Sequence, residues 1–177
     1  MSSESITPEA EQERALSICF HKLNARARTE QELRQVLSQA GISAEISDLA
    51  IDRLQVLGYL NDRDFAEAWI RARVTSRGMA PAAIRRELLS KGVDPDIVET
   101  ALLEVSDEDT YARAVELATK KLRSVASLGS TVALRRISSL LLRKGYPSHM
   151  AYSVAAAVVG SSEDQVDQMV RDAEVVE

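Results

Sequence analysis

The sequence predicts an all-α protein built from three tandem three-helix repeats. Three observations predict it. Ala, Leu, Val, Arg and Glu dominate the 177 residues, against only seven glycines and four prolines, a helix-favouring composition. One phrase occurs three times, as LSQAGISAEISDLAI, LLSKGVDPDIVETAL and LLRKGYPSHMAYSVA, centred on Gly41, Gly92 and Gly145 at spacings of 51 and 53 residues. Around each glycine the apolar residues fall at helical offsets, so each phrase carries one stripe before the glycine and another after it.

In the first repeat, residues 13–58, the opening helix carries Ala15 and Ile18 within the apolar stripe Leu16, Cys19, Phe20 and Leu23. Cys19 reads as buried filler of that stripe rather than as a nucleophile. Leu33 and Leu37 then precede Gly41, and Ile42, Ile46 and Ala50 follow it. The glycine has a physical reason: a helix commonly ends on one residue in the left-handed conformation, which glycine adopts at little cost.

The second repeat, residues 59–106, opens with DRDFAEAWIRARVTS, whose periodicity places Phe65, Trp69 and Ala72 on one face. Trp69 is expected to anchor the core rather than to stack on a base. Ile84 and Leu88 precede Gly92, with Val93, Ile97 and Ala101 after it. Asp94 is placed to cap the next helix, with Pro95 at its first position and Val93 and Val98 bracketing the cap as a staple.

The third repeat, residues 107–160, begins with Asp107, Glu108 and Asp109, which suit the positive end of a helix dipole. Tyr111, Ala112 and Val115 align with the earlier opening helices if the connection is longer, and SVASLGST at 124–131 supplies that length. Leu134, Ile137 and Leu141 form the next stripe, followed by Tyr146, Met150 and Val154. Repeats of about 50 residues bury their cores partly against neighbours.

No pattern for bond-making chemistry is present. His21 and His149 fall in different repeats without a Cys or carboxylate at ligand spacing, and no phosphate loop, nucleophile elbow or HExxH motif occurs. We expect a binding protein that is not an enzyme, with no cofactor and no metal. A lone cysteine, no signal-peptide pattern in MSSESITPEAEQE and no apolar run long enough to span a bilayer predict a cytoplasmic location.

The net charge of −5 conceals an asymmetry: residues 1–13 carry −4, residues 160–177 carry −5, and the body between them is +4. We separate acidic ends at 1–12 and 161–177 from the repeats. Two segments concentrate positive charge. One holds Arg71, Arg73, Arg77, Arg85, Arg86 and Lys91 against Glu87 alone; the other, 117–162, contains no acid but seven cations. A solvated helix surface explains such clusters as readily as a phosphate backbone or an acidic protein groove does. Arg73 suits the structural role. On the helix around 134–144, Arg136, Ser139 and Arg143 share a face away from the core stripe.

The stretch 62–92, D-x-x-FAEAWIRAR…RGMAPAAIRRELLSKG, closely resembles the second unit of the RecX family of bacterial regulators of the RecA recombinase. The preceding IDRLQVLGYLNDRDF resembles that family's junction, while TEQELRQVLSQAGI and LRRISSLLLRKGY match the other units more loosely. The resemblance covers about residues 14–159. It implies three tandem three-helix repeats in an elongated, curved array. It also implies binding in the groove of RecA–single-stranded DNA filaments, with inhibition of ATP hydrolysis, strand exchange and co-protease function in recombinational repair and the SOS response. Direct, non-specific binding of single- and double-stranded DNA is implied as well. The sequence departs from the family in its loose third unit, its inserted loop and its acidic C-terminal end.

From charge and expected exposure, Arg71, Arg77, Arg85, Arg86, Lys120, Lys121, Arg135, Arg136, Arg143 and Lys144 are the residues expected to contact filament or DNA. The protein is expected to act as a monomer. A duplex-binding helix-turn-helix regulator is the alternative, since each corner resembles that motif, but no helix carries Asn, Gln and Arg at base-reading spacing. A protein scaffold without a nucleic-acid role is a third reading, which predicts binding insensitive to salt. The acidic end from Glu163 is expected to shield the basic body from non-specific DNA.

Overall fold

A computed structural model describes residues 7–160; the acidic end at 161–177 and residues 1–6 of the acidic end at 1–12 lie outside them, while residues 8–12 belong to the first helix. Among the described residues the protein is all helical. The first three helices are α1 (Pro8–Ala25), α2 (Glu30–Gln39) and α3 (Ala44–Val56). The next three are α4 (Asp62–Arg77), α5 (Pro81–Ser90) and α6 (Pro95–Leu102). The last three are α7 (Asp107–Arg123), α8 (Ser130–Arg143) and α9 (Ser148–Val159). No described helix is long and apolar enough to cross a membrane.

Short polar side chains start most of these helices by taking otherwise orphaned N–H groups. Thr7, Thr29, Ser43 and Ser106 accept from the N–H three residues on, and Asn61 accepts from Arg63 and Asp64. Asp94 accepts from the N–H of Asp96 at 2.8 Å, so it caps α6 with Pro95 at the first position, as the sequence predicts.

The repeated phrase is one backbone turn made three times. Gly41, Gly92 and Gly145 have φ of 75°, 77° and 87°. The residue after each donates back to the leucine carbonyl five residues earlier: Ile42 to Leu37, Val93 to Leu88 and Tyr146 to Leu141, at 3.1–3.2 Å. That bond is the signature of a helix closed by a left-handed residue.

The chain packs as two compact units. Among the described residues one comprises 7–69 with 87–101 and the other 70–86 with 102–160, so α4 and α5 each contribute to both. In the first, α1, α2 and α3 pack around Ala15, Cys19, Leu33, Leu37, Ile46, Ala50, Ile51 and Leu54, all buried. Cys19 is fully buried, and that burial pushes its thiol up, in keeping with a filler role. In the second, α7, α8 and α9 pack around Ala114, Ala118, Leu134, Ile137, Leu141, Ala151 and Val154.

Four helix faces differ from the periodicity. On α4, Phe65, Ala66 and Ile70 are buried while Trp69 is half-buried and Ala72 exposed. On α7, Tyr111 and Ala112 are exposed and Thr110, Ala114 and Ala118 face the core. Small side chains there let α8 and α9 approach closely, and periodicity weighted towards large residues misses such a face. In α6 and α9 the inward positions are Val98 and Ala151, leaving Ile97 and Met150 half-buried. Within SVASLGST, a short 3₁₀ turn forms at Ala126–Leu128 and α8 begins at Ser130, with Val125 buried.

The corners are also joints. Lys91 and Lys144 each precede a corner glycine. The buried Thr29 hydroxyl, which caps α2, donates to the Lys91 carbonyl at 2.7 Å. The Ala80 N–H, just before α5, donates to the Lys144 carbonyl at 2.9 Å. Thr29 and Ala80 stand in the same register, twelve residues before Gly41 and Gly92. Each joint therefore seats one repeat's corner on the start of the previous repeat's second helix.

Candidate functional site

In the second unit the joint shapes a groove of about 810 Å³. Its walls are the last turn of α4 (Val74–Arg77) with Gly78 and Met79, one face of α7 and the end of α8. On α7, Arg113, Glu116, Leu117 and Lys120 are spaced three and four apart and so share a face. The Lys144 ammonium donates to the Arg77 carbonyl, the last of α4. Tyr146 Oη donates to the Gly78 carbonyl at 3.2 Å, and burial raises the phenol's pKa. These bonds clamp the end of α8 to the turn after α4, so that Arg143 and Arg77 line the same groove.

Five cations, Arg77, Arg113, Lys120, Arg143 and Lys144, line the groove against the single carboxylate of Glu116. Arg77, Lys120 and Arg143 are exposed; Arg113 and Lys144 are half-buried. Among the described residues Arg77, Arg113, Lys120 and Arg143 form no ion pair. Val74, Met79 and Leu117 give the lining an apolar component. Such a surface attracts anions, and extended polyanions above all.

Of the ten residues nominated from sequence, Arg77, Lys120, Arg143 and Lys144 line this groove. Arg71, Arg86, Arg135 and Arg136 are exposed outside it, and Arg85 and Lys121 are half-buried. Arg85, like Arg73, is engaged by other groups. Arg136 precedes Arg143 by two turns on one face of α8 and so extends the cationic wall by about 10 Å. Arg113 and Glu116 lie before the acid-free segment, so a run of like charge does not single them out. Their spacing to Lys120 is the signal that would have found them.

Lys91, the last cation of the first basic segment, is committed elsewhere. In the first unit its Nζ lies 2.9 Å from Glu32 and 4.5 Å from the centroid of Trp69, which stacks on Phe65. Trp69 Nε1 donates to Glu87 at 2.8 Å. Arg26 completes the pair with two hydrogen bonds to Glu32, at 2.9 and 3.0 Å. Burial alone would raise the Glu32 carboxyl, but the hydrogen bonds and charges of Arg26 and Lys91 outweigh it and hold the pKa at about 2. Trp69 is thus a core-edge residue held by an ionic network, consistent with a structural role.

Three family models match the chain in order: the RecX first three-helix domain over residues 15–54, the second over 61–102 and the third over 107–154. The regulatory protein RecX of Amycolatopsis mediterranei is 40% identical over 149 residues, covering 84% of this chain and 85% of the relative. That of Mycolicibacterium smegmatis is 33% identical over 162 residues, covering 89% and 86%. The crystal structure of RecX from Lactobacillus salivarius superposes with a TM-score of 0.75 at 23% identity, covering 84% of this chain and 96% of its own, which bears on the fold. By its three matched domains and by its identity to these relatives over most of its length, the chain belongs to the RecX family of regulatory proteins.

Proposed function

We propose that this chain regulates the RecA recombinase by binding RecA–single-stranded DNA filaments and inhibiting their ATP hydrolysis, strand exchange and co-protease activity. Membership of the RecX family carries the proposal, and the cationic groove of the second unit supports it. Arg77, Arg113, Lys120, Arg143 and Lys144 are assigned to bind phosphate or acidic protein surface there. Arg71, Arg85, Arg86, Lys121, Arg135 and Arg136 are assigned to further contacts. Binding spread over several weak charge contacts gains strength from their number, without one dominant site. Each phosphate neutralised releases counterions, so the DNA component weakens steeply with salt.

RecA-dependent ATP hydrolysis on single-stranded DNA tests this. Equimolar protein is expected to inhibit it, and the double substitution Arg113→Glu with Lys120→Glu should raise the half-inhibitory concentration about tenfold or more. Both residues sit on one helix face away from its buried positions, so circular dichroism should show the fold kept. Absence of inhibition by the unaltered chain at equimolar dose would overturn the proposal. Equal inhibition by the double variant would move the contact surface away from the groove.

A further inference from the structure

We infer that the chain's own acidic segment, residues 161–177, docks in the cationic groove of the second unit and competes there with nucleic acid. The inference rests on the groove being the anion-binding surface proposed above, and it supplies that surface with a regulator. Charge complementarity is the first argument: the segment holds six carboxylates and one arginine, facing five groove cations and one carboxylate. Apolar complementarity is the second. Val166, Met169 and Val170 are interspersed among the acids, and Val74, Met79 and Leu117 among the groove cations.

Reach is the third argument. Arg143 and Lys144 form one groove wall, and from Lys144 to Gly160 the chain makes only the corner and the twelve residues of α9. That path spans at most about 30 Å, whereas seventeen further residues reach about 50 Å when extended. Docking therefore needs little more than half the available length. A tethered anion of this kind acts at an effective concentration of about a millimolar, with no need for a strong site. Nucleic acid with many phosphates displaces it by avidity, while short or sparse anions do not. The expected result is a threshold against weak, non-specific binding.

The test uses the full chain at high dilution with a zero-length carbodiimide, which joins a carboxylate to a neighbouring lysine amine. In the monomeric product, peptides from 161–177 should be linked to Lys120 or Lys144, and high salt should abolish the links. A second full-length protein carries Glu163→Gln, Asp164→Asn, Asp167→Asn, Asp172→Asn, Glu174→Gln and Glu177→Gln. It should bind a fluorescent oligo(dT) about tenfold more tightly at about 50 mM salt, the gap closing as salt rises. Absence of links, links only to lysines outside the groove, or unchanged oligo(dT) affinity would each overturn the inference. The cross-link is read without DNA or RecA. Groove links in a chain whose two forms both fail to bind oligo(dT) would therefore overturn the nucleic-acid reading of the groove, together with the competition.

Discussion

Gly145→Ala is expected to lower the free energy of unfolding by about 3–4 kcal/mol, against about 1 kcal/mol for Gly41→Ala. Both glycines are left-handed, at φ 87° and 75°, so both substitutions meet the same backbone penalty. Their surroundings differ. A Cβ at Gly145 would stand 2.5 Å from the Ala83 Cβ and 2.7 Å from the Ala83 backbone nitrogen, whereas at Gly41 nothing lies within 4 Å. The obstructing atoms are the Cβ and backbone of Ala83 in the first turn of α5, which cannot swing aside as a flexible side chain does. Retreat of the corner would break the Ala80–Lys144 and Tyr146–Gly78 hydrogen bonds and withdraw Arg143 and Lys144 from the groove. Denaturant titration of the two variants checks the difference, and equal losses would show that the joint yields without strain. The Gly145 variant should also lose RecA inhibition at denaturant-free conditions, while the Gly41 variant keeps it.

Glu32→Gln is expected to remove about 2 kcal/mol of stability at neutral pH and much of the chain's sensitivity to acid. Folding lowers this carboxyl from an ordinary value near 4.5 to about 2. Its contribution is therefore complete above about pH 4.5 and is lost as pH falls towards 2. The full linkage amounts to roughly 3 kcal/mol, and solvent at the 44% exposed Arg26 screens part of it. Glutamine keeps the shape but not the charge, leaving Lys91 with the Trp69 ring as its main support. Stability measured by urea titration from pH 7 to pH 2 should show two curves that are apart at neutral pH and converge in acid. A constant offset across that range would mean that shape, not ionisation, carries the effect.

Much of the fold was legible because the corner phrase combines signals that agree. A glycine with a required left-handed φ, a leucine one turn earlier, Leu33, Ile84 or Ile137 two turns earlier and, at Ser43 and Asp94, a polar cap after it specify the same local geometry. The α7 face was misplaced because Ala114 and Ala118 bury little surface each, and a periodicity search follows Tyr111 and Val115 instead. The site was legible in part. Composition locates cations such as Lys120 and Arg143, but it does not show which helix ends meet. Arg113 and Arg77 stand 36 residues apart, and they meet on one groove because Leu117 of α7 packs beside Gly78 while Lys144 and Tyr146 clamp the end of α8 to the same turn. For the same reason Lys91 reads as surface charge in a basic run, although Glu32, 59 residues away in sequence, neutralises it.

The joint between repeats is made twice, and the third repeat differs from the first two at the matching position. Thr29 and Ala80 receive a following corner because each stands just outside its helix, with a hydrogen-bond donor still available for a carbonyl. The same register in the last repeat is Ala133, whose N–H is already spent on the Gly129 carbonyl inside α8 and which is itself buried. Four extra residues have wound the start of α8 back by about one turn, roughly 6 Å, beyond where a corner would seat. The insertion in the third repeat thereby does more than lengthen a connection: it puts helix at the position where the first two repeats receive a corner.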